Sequence, residues 1–359
     1  MAGQTAQHRP MPHVRGPHPL PLLLAMALRL TGGETQAMAR FLQGLSRYQD
    51  APRNPPMPAG EPVARRGAVR LLNCGGPAGG PAVLLIPSII NGGDILDLLP
   101  GQSLVEGLKA RGCRVWRIDW GGLDRGEQRL GLSGLVSARL APLAGHVPQP
   151  FTIVGHCLGG TLSAGLATLL PEQVVRRLVL LAAPWRFSGY GEQAGRSARQ
   201  TWLLLEPLAR GLGGLPLVAL NPLFWSLDEA GVVRKYQALG DTEPTPDALR
   251  EFAAVEDWAN SGPALSLAAA RDIFLSGLVR DRMGKGQWTV RGRPVRIRTL
   301  PLPVLDIGGR RDRLVPASAR IGAGPGIETV ELDTGHVGMI IGRRRHLLWD
   351  TLAKAAASG

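Results

Sequence analysis

Residues Gly155-His156-Cys157-Leu158-Gly159-Gly160 constrain the fold of this chain more than any other stretch. They follow an apolar run at 151–154 and lead into an Ala/Leu-rich segment at 161–170. Strand, tight glycine turn and helix in that order make a nucleophile elbow, usually written G-x-S-x-G, here with cysteine in place of serine. The glycines let the backbone pass close to itself, so the Cys157 thiol is expected to stand at a helix N-terminus, where the helix dipole favours thiolate. The competing reading is a buried structural cysteine in a Gly-rich turn.

The choice turns on whether an acid and a histidine follow, in that order. A late strand, Pro301-Leu302-Pro303-Val304-Leu305-Asp306-Ile307-Gly308, runs into Gly309-Arg310-Arg311-Asp312-Arg313. The carboxylate just past such a strand is where the acid belongs, which selects Asp312. Asp306 competes but lies inside the strand. A second apolar strand at 328–332 precedes Thr334-Gly335-His336-Val337-Gly338. The loop after the last strand is where the base belongs, which selects His336. Three residue types in the right order, each beyond the C-terminal end of a strand, favour Cys157 as a nucleophile.

Seven histidines are present. His8, His13 and His18 fall in a Pro-rich leader, His146 precedes the elbow strand, and His346 follows an arginine run on the terminal helix. His156 adjoins the nucleophile, but neighbours at a sharp turn point in different directions. It is expected to pack or hydrogen-bond beneath the elbow rather than act as the base.

With 359 residues, 44% of them hydrophobic, the chain can bury a large core as one enzyme with an insertion. Its three cysteines, Cys74, Cys113 and Cys157, include no C-x-x-C pair, which argues for a reducing compartment and against a disulfide framework or a zinc site. The net charge of +13 is almost all arginine, since only Lys109, Lys235, Lys285 and Lys354 are lysines. With 5% aromatic residues and no nucleic-acid module, this reads as compositional bias rather than nucleic-acid binding. The runs Arg310-Arg311, Arg343-Arg344-Arg345 and 291–298 read first as solvated faces, and second as collectors of an anionic substrate.

Residues 1–18 are rich in Pro and His, which predicts disorder. The apolar run at 19–30 is too short to span a bilayer, and it lacks the small-residue cleavage site of a secretory signal. Residues 34–48 read as an amphipathic helix, with Met38, Phe41, Leu42 and Leu45 at helical spacing, suited to a partner groove or to the enzyme's own flank. From residue 66 strands are expected at 68–72, 82–86, 114–119, 151–154 and 178–182, with helices between them, the first at 96–111. That alternation predicts a doubly wound, mostly parallel sheet. Residues 184–299 break the rhythm with helical stretches at 198–212, 247–258 and 264–279 and no clear strand. They read as a cap over the Cys157 site, with Trp185, Phe187, Trp225 and Trp258 as candidate lining. The expected division is a leader and helix at 1–50, core at 51–183, cap at 184–299 and core again at 300–359.

At this point the motifs resemble a known family. Pro87-Ser88-Ile89-Ile90-Asn91, Ile95-Leu96-Asp97-Leu98 and Ser103-Leu104-Val105 are similar to the polyhydroxyalkanoate synthases of the α/β-hydrolase superfamily. So are Ile118-Asp119-Trp120-Gly121 with Leu123-Asp124-Arg125, the cysteine elbow, Asp257-Trp258 with Asn260, Asp312 with Val315-Pro316, and Gly335-His336-Val337-Gly338. The resemblance runs from about residue 44 to the C-terminus and is most like the short two-component synthases, which need a separate small subunit. Histidine at 156 departs from it and is similar to the Gly-His-Ser boxes of lipases.

The resemblance implies an α/β-hydrolase fold with a helical cap and an acyltransferase that polymerises 3-hydroxyacyl-CoA through Cys157, His336 and Asp312. The backbone N–H groups of Leu158 and Ile89 would form the oxyanion hole. No cofactor or metal is expected, because coenzyme A arrives as part of the thioester. The implied partners are the growing polyester, a small synthase subunit, granule proteins or a second copy of the chain, in the cytoplasm on polyester granules. The rival reading is a Cys-dependent esterase, thioesterase or intracellular polyester depolymerase of the same fold.

Overall fold

The computed structural model describes residues 16–358 other than 59 and 123–125. The leader at 1–15 and the Leu123-Asp124-Arg125 motif therefore lie outside the described residues. The chain divides into two compact units, Asn54–Asp228 with Trp258–Gly359, and Met1–Arg53 with Glu229–Asp257.

Among the described residues the larger unit has ten strands: β1 Glu61–Arg66, β2 Val69–Gly75, β3 Ala82–Ile86, β4 Arg114–Asp119, β5 Phe151–His156, β6 Val175–Leu181, β7 Thr289–Val290, β8 Arg293–Pro294, β9 Val304–Gly309 and β10 Ile327–Leu332. Eight form one sheet in the order β1-β2-β4-β3-β5-β6-β9-β10. β1 and β2 are antiparallel additions at one edge, and the strands from β4 to β10 run parallel. β3, β5 and β9 are buried at every residue, as expected of parallel strands covered on both faces. The strand order reverses at β3, between β4 and β5, so the crevice of this sheet opens beyond the C-terminal ends of β3 and β5. The elbow sits there.

The smaller unit consists of Leu20–Leu30, Thr35–Asp50, Glu229–Asp241 and most of Pro246–Ala259. The helix expected at 34–48 thus forms, and its apolar face is used within the chain: Phe41 and Tyr48 are fully buried and meet Tyr236 at ring-centroid distances of 5.6 and 6.2 Å. Gly44 lets two helices approach closely, since a Cβ there would lie 1.8 Å from the Tyr236 carbonyl oxygen. Tyr48 donates to Asp257 at 2.7 Å, and Arg53 grips the same carboxylate at 2.8 and 3.1 Å.

The compact units divide the chain differently from the expected leader, core and cap. Within the insertion at 184–299, residues 229–257 group with the helices at 20–50 and bury their aromatic face there. The insertion also contains a strand pair that the sequence did not show. β7 and β8 are two residues each, too short for any periodicity, and turn through Arg291 and Gly292 at positive φ. The helix expected at 96–111 is broken into a 3-10 turn, Gly93–Asp97, and Leu104–Lys109, capped by the Ser103 hydroxyl. Among the described residues no helix is long and apolar enough to cross a membrane.

Candidate active site

β5 ends at His156, and Leu158–Leu169 begins the next helix, leaving Cys157 alone at the corner. Its backbone sits at φ 54°, ψ −129°, a region that non-glycine residues adopt only when their surroundings impose it. The imposing contacts are visible. The Cys157 amide donates to the Leu181 carbonyl on β6 at 2.9 Å, and the Gly160 amide closes the turn on the Cys157 carbonyl at 2.8 Å. A Cβ on Gly159 would lie 2.1 Å from the Ile86 oxygen and 2.5 Å from the Pro87 oxygen, so the chain leaving β3 passes directly against the elbow. Those are main-chain atoms and cannot swing away. Gly159→Ala should cost roughly 2–3 kcal/mol of stability, and an unchanged urea midpoint would show that this contact is not fixed.

The same contact brings Ile86 and Pro87 beside the first turn of Leu158–Leu169, whose leading amides have no intrahelical acceptor. Leu158 and Ile89 are both buried, 4% exposed each.

Asp312 and His336 come from loops that are joined main chain to main chain. The Arg310 amide donates to the Leu332 carbonyl at 2.9 Å, and the Arg311 amide to that of Thr334 at 3.1 Å. One Asp312 carboxylate oxygen accepts from the Leu314 and Val315 amides at 2.9 and 2.8 Å. The other lies 2.7 Å from His336 Nδ1. The carboxylate is thus fully engaged and oriented. Burial works against a charged His336 ring, but the Cys157 sulfur beside it and the Asp312 carboxylate outweigh burial and raise its pKa to about 10.

The other candidates fall elsewhere. Asp306 is fully buried within β9, faces Arg320 at 3.7 Å and accepts from the Gly322 amide at 3.1 Å, away from the histidine. His156 packs its ring 5.2 Å from that of His336, tilted by 34°. Neither of its ring nitrogens finds a hydrogen-bond partner among the described residues. Burial, with the His336 charge second, holds its pKa well below the ordinary value, so it remains neutral.

Of the expected lining, Trp185 and Phe187 are buried in the same apolar cluster as Cys157. Trp185 leans on Trp288 at 6.3 Å, and the Trp258 indole donates to the Gly92 carbonyl at 2.7 Å, so both serve packing. Trp225 is only partly buried. Sequence reasoning missed Tyr190, which donates to the Leu314 carbonyl at 3.0 Å. Burial pushes its phenol up, and the charges of Cys157 and Asp312 act in the same direction. Only its place in the first turn after β6 could have drawn attention to it. Cys157 itself is 8% exposed, and among the described residues no cluster of His, Cys, Asp or Glu is placed to hold a metal ion.

A thiol at a strained strand-to-helix corner, an imidazole beside it and a carboxylate behind the imidazole can carry out nucleophilic acyl chemistry. Sheet order, elbow and loop placement define one class. The chain belongs to the alpha/beta hydrolase family, whose sequence model matches residues 83–345.

Within that class the chain is similar to the curated Poly(3-hydroxyalkanoate) polymerase subunit PhaC of Haloferax mediterranei, 26% identical over 275 residues. It is 26% identical over 286 residues to the protein of that name from Haloarcula marismortui, and 26% over 275 to the one from Synechocystis sp.. These matches cover 74%, 76% and 72% of this chain, and 56%, 60% and 72% of the relatives. The chain therefore spans little more than half the length of the two haloarchaeal proteins. Among solved structures, a point mutant of an epoxide hydrolase from Bacillus megaterium superposes with a TM-score of 0.52 at 16% identity. That match covers 80% of this chain and 99% of the other, and speaks to the fold alone.

Proposed function

We propose that this chain is a polyester synthase-like acyltransferase that joins 3-hydroxyacyl units delivered as coenzyme A thioesters. The observation that carries the reading is a cysteine, not a serine, at an elbow flanked by His336 and Asp312. The similarity to the PhaC polymerase subunits supports the substrate class.

In this reading His336 already holds the proton taken from Cys157, as an imidazolium anchored through Nδ1 by Asp312 with its other nitrogen toward the sulfur. The Cys157 thiolate attacks the thioester carbonyl, and the amides of Leu158 and Ile89 stabilise the oxyanion. The carbon–sulfur bond to coenzyme A breaks, and His336 returns its proton to the departing thiolate. The 3-hydroxyl of a second unit then attacks the Cys157 thioester, passing its proton to His336. The new ester forms as the Cys157 sulfur leaves. The lengthened chain, still a thioester of coenzyme A, returns to Cys157 by the same exchange, so each ester bond releases one coenzyme A.

Cysteine suits this cycle because exchange between two thiols is nearly balanced in energy, whereas a serine ester would be a deeper well. Enclosure of the sulfur suits it too, because water would end the chain. The test is to supply 3-hydroxybutyryl-CoA and follow coenzyme A release beside the products. Released coenzyme A should be matched by oligomeric or polymeric ester. Stoichiometric free 3-hydroxybutyrate would instead identify a hydrolase.

A further inference from the structure

Five arginines crowd the loops that carry Asp312 and His336. Arg310, Arg311 and Arg313 surround Asp312 after β9, Arg343 and Arg344 follow the short helix Gly338–Ile341, and all five are exposed. Their arrangement is ordered. Asp333, three residues before His336, faces Arg311 at 3.3 Å and Arg344 at 3.5 Å. Glu331 faces Arg310 at 3.6 Å and the buried Arg320 at 3.0 Å. Arg320 also faces Asp306 at 3.7 Å, so the charge around Glu331 balances, whereas Asp333 alone serves two guanidiniums and the charge around it does not cancel. Arg313 is matched one to one by Asp228 at 2.8 Å.

In the basic run at 291–298, two of the four arginines are tied to the main chain: Arg291 donates to the Ser137 carbonyl, and Arg298 to those of Ala323 and Ile321. The exposed pairs at Glu331 and Asp333 are long and solvated, so they contribute little on their own and leave guanidinium N–H groups available.

We propose that Arg310, Arg311, Arg343 and Arg344 form the seat for the phosphate groups of the coenzyme A thioester. This rests on the acyl-CoA reading above. The thioester must reach Cys157 inside, while three phosphates cannot be buried without a prohibitive loss of hydration. The pantetheine arm joins the two ends, which places the phosphates at the rim of the site. The rim beside the acid and the base is where this chain collects unbalanced guanidinium charge, and planar guanidinium forks match phosphate oxygens in pairs.

The experiment compares two substrates carrying the same 3-hydroxybutyryl group, one on coenzyme A and one on pantetheine, which has no phosphate. Arg311 also donates to the Asp333 carbonyl at 2.6 Å and is left in place. The variants are Arg310→Ala with Arg344→Ala, and Arg343→Ala alone. Acylation of Cys157 and KM are measured across ionic strength. The double variant should raise KM for the coenzyme A thioester about tenfold with kcat little changed, and should flatten its dependence on salt. KM for the pantetheine thioester should not move, which also reports that the variant is folded. Arg343→Ala should give a smaller shift of the same kind.

Equal effects on both substrates would overturn the proposal in favour of a structural role. So would a wild type whose two KM values agree and share one salt dependence. Failure of the coenzyme A thioester to acylate wild-type Cys157 would instead remove the acyl-CoA reading itself.

Discussion

Cys157→Ala should abolish turnover, and iodoacetamide should inactivate the wild type by alkylating Cys157 ahead of Cys74 and Cys113. The loss should be complete to the limit of detection, because no other nucleophile stands at the corner between β5 and its helix. The selectivity among the thiols has a separate cause. Cys113 is fully buried, and burial pushes both its thiol and that of Cys74 up, so the reactive thiolate is scarce at either position. Cys157 has an imidazole beside it to take the proton. Peptide mapping after alkylation checks the site, and residual activity in Cys157→Ala would remove cysteine chemistry from the account. Cys157→Ser should accept an acyl group and then stall, since its ester returns slowly to a thiol.

His336→Gln should lower kcat by about a thousandfold or more, the usual scale for loss of a nucleophile's base. Asp312→Asn should cost less, through loss of the tautomer and of one negative neighbour. The same pair governs a pH effect. The folded pKa of His336, about 10, lies above the ordinary 6.5 of a free histidine. Its contribution to stability is therefore fully present below about pH 6.5 and is lost as pH rises through about 10. The His336 C2 proton should stay in its charged position through neutrality and titrate near 10, moving toward 6.5 in Asp312→Asn. Titration of wild-type His336 near 6.5 would mean that the sulfur and carboxylate do not act on the ring as their positions indicate.

The parts of this molecule legible in sequence are those where one physical constraint acts along consecutive residues. β3 and β5 are apolar throughout because both faces are covered, and the elbow is written in glycines because main chain passes at contact distance. Asp312 was separable from Asp306 because a carboxylate inside a strand faces its neighbours, here Arg320, rather than the crevice.

What could not be read depends on contacts distant in sequence. β1 is an exposed edge strand containing Pro62 and two arginines, so it carries no alternation of buried and exposed positions. The grouping of 229–257 with residues near the N-terminus rests on Tyr48, Tyr236 and Asp257, whose pairing leaves no local signature. The contact of His156 with His336 is of the same kind, since nothing in a Gly-His-Cys triplet specifies which ring will lie beside it.

The positive φ at Cys157 has a consequence for how this scaffold could change its chemistry. The point from which the nucleophile projects is set by main-chain hydrogen bonds to β6 and across the turn, not by the choice of side-chain rotamer. Serine or cysteine held at 157 would project from the same point of the main chain beside the histidine. Leaving-group quality at this position could then change by a single codon, between an atom that hands its acyl group on and one that retains it for water, while the surrounding framework stays as it is.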